Sequence, residues 1–318
     1  MKNILNTSSF NLLISLFSII LLTSCSTNEA QVAEEFSLST ARFGHASVND
    51  GKNLYVLAGS NKSGFLSDIE IIDPVTKKIE VLENKLIPRR YFSAVWDGKH
   101  SIYIVGGVSV KRKRLYFEKR VEVFNTITKQ VSFAPSLPTP TRINSAVFLK
   151  GNIFVFGGTY PTDGGLIPSS VVTVLKISEN KWVRAADMPT AKSTRAVERN
   201  GLIYVVGGYN TKTALNVFEQ FDPRLNQWKT LPPLPVKISA HSVSLVDDKL
   251  FVFGNYNSLQ STYSYDFLSQ KWQEVFIGYK ASRHNAATTL NNITYVTGGT
   301  LTGKGPFLDY IQAFNLSK

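Results

Sequence analysis

Residues 204–208 read YVVGG, an apolar stretch of β-favouring residues that ends in two glycines. Related stretches occur five more times, as YVLAG at 55–59, YIVGG at 103–107, FVFGG at 154–158, FVFGN at 251–255 and YVTGG at 295–299. Counted at the last residue, successive copies lie 48, 51, 50, 47 and 44 positions apart. Six copies at such a steady period indicate a repeat architecture in which each copy is one supersecondary unit.

Each copy contains four strand-like segments joined by short turns. Glycine suits the end of the second strand, because it allows positive φ and close backbone approach. The third strand ends in Asp or Asn, whose side chain accepts backbone N–H groups and sets a turn. These turn residues are Asp73, Asn125, Asp222, Asp266 and Asn315, and the fourth strands include Trp182, Trp228 and Trp272. No segment has a sustained 3.6-residue apolar period, so we predict an all-β chain with almost no helix.

The first strand of most copies starts near a basic residue and has alanine four positions later. The pairs are Arg42/Ala46, Arg90/Ala94, Arg142/Ala146, Lys192/Ala196 and Arg283/Ala287, and the fifth copy departs with Ser239 and Val243. Together with the double glycine, the Asp or Asn turn and the tryptophan, this pattern resembles the kelch motif over residues 32–318. The resemblance implies the four-stranded blades of a β-propeller. A WD40 propeller fits less well, because the single Trp-Asp pair, Trp96-Asp97, falls in a first strand.

The sixth copy stops at Lys318, after its third strand. Residues 32–37 occupy the place that a fourth strand has before the basic residue of the next copy. We therefore predict a six-bladed kelch-type β-propeller over residues 32–318 whose last blade is closed by an N-terminal strand. Such closure removes an open sheet edge that would otherwise invite aggregation.

The composition of the 318-residue chain excludes several classes of protein. Hydrophobic residues make up 43% and charged residues 18%, as in a folded globular protein rather than a disordered or fibrous one. The one cysteine excludes an intramolecular disulfide framework and a cysteine-based metal centre. The net charge of +12 favours an anionic partner or surface. We expect no cofactor, no metal and no nucleic-acid partner, and the P-loop, G-x-G-x-x-G, G-x-S-x-G and H-E-x-x-H motifs do not occur.

The N-terminal residues resemble the export signal of a bacterial lipoprotein. An uncharged apolar run at 10–22 is too short to span a bilayer and fits the core of a signal peptide. The tetrapeptide Leu22-Thr23-Ser24-Cys25 resembles a lipobox, whose cysteine is diacylated, and two acyl chains give stable attachment. We expect a signal peptide at 1–24, an acylated tether at 25–31 and a lipid-anchored monomer in the cell envelope, and Ser26 favours the outer membrane. The alternative is an uncleaved anchor with a buried Cys25.

Five basic residues at the strand starts are the candidate ligand-binding site. In an up-and-down blade the inner strands start on one face, so a closed ring gathers Arg42, Arg90, Arg142, Lys192 and Arg283 around one mouth. Converging cations attract carboxylate, phosphate or sulfate groups. The cations at 111–120 add to this face, although they also fit a solvated hairpin tip. The structural alternative is that the five side chains only bond neighbouring carbonyl groups.

These observations predict a membrane-anchored binding or scaffolding module for a protein or an anionic carbohydrate. The alternative is an enzyme, because sialic-acid mutarotases also resemble kelch propellers and use few catalytic groups. Kelch-type copper radical oxidases are excluded, since they need a cysteine crosslinked to a tyrosine and Cys25 is assigned to the lipobox. His45, His241 and His284 stand at different offsets from their strand starts and are a poor metal set. We assign no catalytic residue; an acid–base pair in the central pocket would identify an enzyme.

Overall fold

The computed structural model describes residues 32–317, and the predicted signal peptide and acylated tether lie outside them. The regular structure consists of antiparallel strands and one turn of 3-10 helix, Ile177–Glu179. The all-β prediction is confirmed. Within the described residues, no helix has the length and apolar character needed to cross a bilayer.

Six four-stranded antiparallel sheets follow the six sequence repeats in this part of the chain, and we number them 1 to 6. The chain begins with β1 (Val32–Ser37), and sheet 1 then contains β2 (Ala46–Asn49), β3 (Leu54–Asn61), β4 (Gly64–Ile72) and β5 (Ile79–Leu82). Sheet 2 contains β7 (Ser93–Trp96), β8 (Ser101–Val105), β11 (Val121–Asn125) and β12 (Val131–Ala134). Between β8 and β11 is an inserted hairpin of β9 (Val108–Lys111) and β10 (Arg114–Phe117), which forms a separate three-stranded sheet with β6 (Arg89–Arg90).

Sheet 3 also carries an inserted hairpin. Its four strands are β13 (Ser145–Leu149), β14 (Asn152–Phe156), β17 (Val172–Lys176) and β18 (Lys181–Arg184). The hairpin between β14 and β17 is a separate two-stranded sheet of β15 (Thr159–Thr162) and β16 (Gly165–Pro168). Sheet 4 contains β19 (Ser193–Arg199), β20 (Leu202–Tyr209), β21 (Ala214–Asp222) and β22 (Gln227–Leu231). Sheet 5 contains β23 (Ser242–Val246), β24 (Lys249–Phe253), β25 (Thr262–Asp266) and β26 (Lys271–Glu274), and sheet 6 contains β27 (Ala286–Leu290), β28 (Ile293–Thr297) and β29 (Tyr310–Asn315).

The fourth strand of sheet 6 comes from the other end of the chain. β1 runs antiparallel to β29, with Ser37 opposite Tyr310 and Val32 opposite Phe314. Phe314 lies at the end of the sheet where β27 turns into β28, because it pairs with Thr294. The chain therefore enters the sheet at the end away from the start of β27.

Neighbouring sheets pack face to face through their apolar side chains. The first strands contact one another in order: β2 contacts β7 and β27, β13 contacts β7 and β19, and β23 contacts β19 and β27. One buried cluster joins Tyr204 and Phe218 of sheet 4 to Val252 and Tyr265 of sheet 5. Burial of large aromatic side chains of this kind dominates the energetics of such a core.

The turn residues and tryptophans of the repeat have the structural roles that their chemistry predicts. Asp266 Oδ1 accepts the backbone N–H groups of Leu268 at 2.9 Å and Ser269 at 2.8 Å, which sets the turn between β25 and β26. Trp228 Nε1 donates to the carbonyl oxygen of Ala186 at 2.9 Å, in the link that leaves sheet 3. Equivalent indole bonds join Trp182 to Pro135 and Trp272 to Pro232. Each tryptophan therefore fastens its sheet to the preceding one.

Candidate functional site

The double glycines shape the corner from which each first strand starts. Gly107 has a φ of +86°, and a Cβ at this position would lie 2.7 Å from the carbonyl oxygen of Arg90. Gly158 has a φ of +96°, and its Cβ would lie 2.7 Å from the carbonyl oxygen of Arg142. Only glycine tolerates both the backbone conformation and the close approach. The glycines of one repeat therefore fix the backbone that carries an arginine.

Before the first strand of five sheets, the backbone turns through a left-handed conformation, and in three of these sheets the turning residue directly follows Arg90, Arg142 or Arg283. Gly44, Tyr91, Ile143, Ala240 and His284 share this conformation, with φ between +54° and +62°. Hydrogen bonds of 2.6–2.9 Å join them in the order Ala240, His284, Gly44, Tyr91 and Ile143, each N–H bonding to the preceding carbonyl oxygen. We call the opening that these corners surround the mouth. Among the described residues, this series of hydrogen bonds includes no residue of sheet 4.

Arg90, Arg142 and Arg283 stand at the mouth, and we refer to them as the mouth arginines. The guanidinium carbon of Arg90 lies 5.1 Å, and that of Arg142 5.9 Å, from the ring centroid of Tyr91. The guanidinium carbon of Arg283 lies 3.9 Å from the ring centroid of Tyr256. Within residues 32–317, none of the three forms an ion pair with a carboxylate. The mouth therefore carries guanidinium groups whose charge no carboxylate of residues 32–317 neutralises.

Arg42 and Lys192, the other two sequence-predicted site residues, are buried instead, and both side chains are 0% exposed. Arg42 donates to Glu70 at 2.5 Å and to Asp68 at 2.6 Å, and Lys192 pairs with Glu219. Burial lowers the pKa of Lys192, and the charge of Glu219 opposes that shift. The carboxylates belong to the third strand of the same sheet, so both cations fasten a corner to its own sheet. Their placement corrects the expectation that all five basic residues face a ligand.

A third buried pair shows that this fastening recurs. Arg89 is 0% exposed and donates to Glu122 at 2.5 Å. Arg89, rather than Arg90, is the counterpart of Arg42 in sheet 2. The chain thus has two sets of strand-start cations, one set neutralised in the interior and one set open at the mouth.

At the mouth lies a cavity of about 570 Å³, within the usual size range of small-molecule sites. Its wall includes the aromatic side chains Tyr91, Tyr209 and Tyr256, the cations Arg142, Arg195, Lys212 and Lys237, and the histidines His241 and His284. No Asp or Glu of the described residues lines this cavity. The cavity therefore combines positive charge with aromatic surface.

Arg195 was not recognised from the sequence, yet it reaches into this cavity from the first strand of sheet 4. It pairs with Val206, the residue before the double glycine. The residues at the same position of the other sheets are all small: Ala46, Ser93, Ser145, Ser242 and Ala286. Five small side chains leave the centre open, and the single arginine occupies it.

The corner of sheet 4 is one residue shorter than its neighbours. Lys192 and Thr141 each accept a hydrogen bond from the second glycine of the preceding repeat. Ser145 lies four positions after Thr141, whereas Arg195 lies three positions after Lys192. This deletion removes the left-handed residue of sheet 4, which explains why the series of corner bonds passes over it.

His284 lies where the cations converge. Its pKa is lowered to about 3, first by burial and then by the charges of Arg195, Arg283, Arg90 and Arg142. His241 also has a pKa lowered to about 3, by burial and then by Arg195. Both imidazoles are therefore neutral near pH 7. Within residues 32–317, no three His, Cys, Asp or Glu side chains are grouped to hold a metal.

The cations at 111–120 lie on and beside the β9–β10 hairpin. Lys111, Arg112, Lys113 and Arg114 are exposed around its tip, and Lys111 Nζ lies 5.6 Å from the ring centroid of Tyr116. Arg120, by contrast, donates to the buried Glu118 at 2.7 Å. The hairpin tip is therefore a solvated cationic surface, and Arg120 belongs to an ion pair at its base.

Comparison with known proteins identifies relatives of this chain. Residues 44–255 match the model of the KLHDC2/KLHL20/DRC7 Kelch-repeats domain. Kelch-like protein 25 of Xenopus tropicalis is 28% identical over 222 residues, which cover 65% of this chain and 36% of that protein. Kelch-like protein 23 of Homo sapiens is 27% identical over 212 residues, which cover 65% of this chain and 36% of that protein. Beta-scruin of Limulus polyphemus is 23% identical over 221 residues, which cover 64% of this chain and 24% of that protein. The chain spans about a third or less of the length of these relatives.

Proposed function

Because the chain belongs to the kelch-repeat family, we propose that it is a membrane-anchored β-propeller that binds a protein or an anionic carbohydrate at its mouth. The observation that carries the proposal is the contrast between the two sets of strand-start cations. Arg42, Arg89 and Lys192 are neutralised by buried carboxylates. The mouth arginines have no such partner in residues 32–317, so their charge is available to an anionic ligand.

In this proposal, the six sheets are the blades of one closed propeller whose last blade includes the N-terminal strand. Two observations support it. Each first strand contacts the first strand of the next sheet, including β2 with β27. β1 pairs with β29 along the edge that sheet 6 would otherwise expose. Such a ring makes the mouth a single opening, which is what a shared ligand site requires.

We further propose that acylated Cys25 anchors the propeller in the outer membrane as a monomer. β1 starts at the end of sheet 6 away from the mouth, and the seven-residue tether spans at most about 25 Å. The membrane would then face the side opposite the mouth, which leaves the mouth free. The variant Cys25→Ala should move the protein from the membrane fraction to the soluble fraction, and retention in the membrane would contradict the anchor.

Binding is preferred to the alternative of a sugar mutarotase. Proton transfer at a sugar needs an acid and a base within reach of the substrate. The cavity wall has no Asp or Glu among the described residues, and its histidines have their pKa lowered to about 3. A set of cations and tyrosines recognises an anion without need of an acid–base pair.

The double variant Arg90→Ala/Arg142→Ala tests the proposed binding. Each lost charge-assisted hydrogen bond costs about 1.5–3 kcal/mol of binding free energy, so affinity for an acidic oligosaccharide or acidic peptide should fall at least about tenfold. Both half-buried side chains contact the ring of Tyr91 and neither pairs with a carboxylate of the described residues, so the melting temperature should change by only a few degrees. Unchanged affinity would contradict the proposal, and an unfolded variant would show that these arginines are structural.

A further inference from the structure

We infer that Arg195 binds a ligand carboxylate at the floor of the 570 Å³ cavity, which we call the mouth cavity, beneath the mouth arginines. The inference deepens the proposed binding function and rests on it. It assigns the ligand's anionic group as a planar carboxylate on a small body, such as a uronic acid, and it names the residue that receives it.

The guanidinium of Arg195 carries a charge that no described carboxylate compensates. Its Nη1 donates to the carbonyl oxygens of Thr194 at 3.1 Å and Asn144 at 3.5 Å. Within residues 32–317, its Nε and Nη2 have no protein acceptor, and no carboxylate pairs with it. The three other strand-start cations in the interior each have a carboxylate. A desolvated charge is costly unless it is paired, so this guanidinium favours the arrival of an external anion.

Arg195 lies between two cavities. The side chain of Arg195 borders both the mouth cavity and a smaller cavity of about 120 Å³ beneath it. Ala46, Ser145 and Ser242 line the smaller cavity at the same level, and they leave the arginine as the floor of the larger one. A ligand that enters from the mouth therefore reaches this guanidinium at the bottom of the larger cavity. The free edge, formed by Nε and Nη2, is the fork that binds a carboxylate through two parallel hydrogen bonds.

The groups around the guanidinium of Arg195 are polar. Ser193 Oγ, His241 Nδ1 and His284 Nδ1 are buried polar atoms without a hydrogen-bond partner in the described structure. All three residues line the mouth cavity. These atoms are shielded from solvent, and their residues make the wall around Arg195 polar, which suits a ligand rich in hydroxyl groups. Tyr209 and Tyr256 at the rim provide flat surface for a sugar ring.

D-galacturonate and D-galactose form a matched pair of probes, because they differ in the carboxylate that replaces a hydroxymethyl group. Titration calorimetry should show that the full chain binds galacturonate more tightly than galactose. Arg195→Met should weaken galacturonate binding at least about tenfold and abolish this preference, and Arg195→Lys should retain part of it. The control Arg224→Met removes an equal charge from an exposed side chain and should change neither affinity.

Melting temperatures distinguish a ligand-binding role of Arg195 from a structural role. Arg195→Met removes an unpaired desolvated charge, so the melting temperature of the free protein should stay the same or rise, whereas saturating galacturonate should raise that of the wild type alone. A fall of more than about 5 °C in Arg195→Met, or galacturonate binding equal to wild type in that variant, would overturn the inference. Equal affinity of the wild type for galacturonate and galactose would also overturn the inference. Suppose that Arg90→Ala/Arg142→Ala no longer binds acidic oligosaccharides while Arg195→Met still binds galacturonate as tightly as the wild type. Arg195 then does not bind the carboxylate, and the proposed binding function of the mouth arginines is retained.

Discussion

Arg89 and Arg90 are consecutive residues with opposite electrostatic surroundings. Arg89 is buried and donates to Glu122 at 2.5 Å, whereas the guanidinium carbon of Arg90 lies 5.1 Å from the ring centroid of Tyr91 and has no carboxylate partner in the described structure. Adjacent residues of an extended chain point to opposite sides, so one arginine enters the sheet and the other faces the mouth. By this division of roles, Arg89 contributes to the stability of the fold, and Arg90 is available for binding.

The first prediction follows from that division. Arg89→Ala leaves Glu122 buried without its partner, which should lower the free energy of unfolding by about 3–5 kcal/mol. Arg90→Ala is the matched control, and it should lower the free energy of unfolding by about 1–2 kcal/mol, since it removes contacts of a half-buried side chain with three aromatic rings but leaves no buried charge unpaired. Urea denaturation of both variants measures the difference. Equal losses of stability would show that both arginines are structural.

The second prediction concerns the double glycine. Gly107→Ala places a Cβ 2.7 Å from the carbonyl oxygen of Arg90 at a positive φ, so the corner must shift. Gly151→Ala is the control, because Gly151 has a φ of +77° but nothing within 4 Å of its Cβ. The control should lose only about 1 kcal/mol of unfolding free energy from strain, and Gly107→Ala should lose clearly more. Similar losses in the two variants would show that the close approach contributes little.

The third prediction tests the N-terminal strand. Deletion of residues 26–37 removes β1 and exposes the edge of β29, so the melting temperature should fall sharply and aggregation should increase. Deletion of residues 26–31 alone leaves the strand in place and should change the melting temperature little. If the longer deletion melts at the wild-type temperature, β1 does not close the ring.

The fourth prediction is a dependence of stability on pH. Burial, with Arg42 as the next contribution for His45 and Arg195 for His241, lowers the pKa of both histidines to about 3, compared with 6.5 in the unfolded chain. The unfolded state therefore binds protons that the folded state does not, and the stability present above pH 6.5 is lost as pH falls towards 3. Each histidine contributes a slope of at most about 1.4 kcal/mol per pH unit in this window.

Denaturation of the wild type and of His45→Gln between pH 7.5 and 4.5 measures this slope. The variant should lose stability less steeply with falling pH than the wild type, whatever its stability at pH 7.5. Parallel curves would show that His45 is protonated in the folded state as readily as in the unfolded state.

The sequence predicted the strands, the double-glycine ends and the Asp or Asn turns, because these features repeat with a period that one chain displays. It did not separate the buried cations from the mouth arginines. The spacing of basic residue and alanine makes Ala46 and Ala94 look equivalent, but the strand pairing shows that they are not. Ala46 pairs with Leu57, two residues before Gly59, whereas Ala94 pairs with Ile104, three residues before Gly107. An alignment error of one residue reverses the direction of a strand side chain.

Arg195 was missed for a related physical reason. The shortened corner of sheet 4 placed Lys192 at the expected spacing from Ala196, so the lysine took the role of the basic residue in the alignment. An arginine directly before that alanine is visible in the sequence. Its significance depends on the small residues that occupy the same level in the other sheets, and these become equivalent only once the strand pairing is known.

The salt dependence of binding tests the central claim most directly. Affinity for a galacturonate trisaccharide should be measured at 50 and 300 mM NaCl for the wild type and for Arg90→Ala/Arg142→Ala. If the mouth arginines bind the anion, the wild-type affinity falls as salt rises, and the double variant binds more weakly at low salt with a smaller salt dependence. Binding that is independent of salt in the wild type, or an equal salt dependence in both proteins, would contradict the claim and would point to the tyrosines of the cavity as the contact surface.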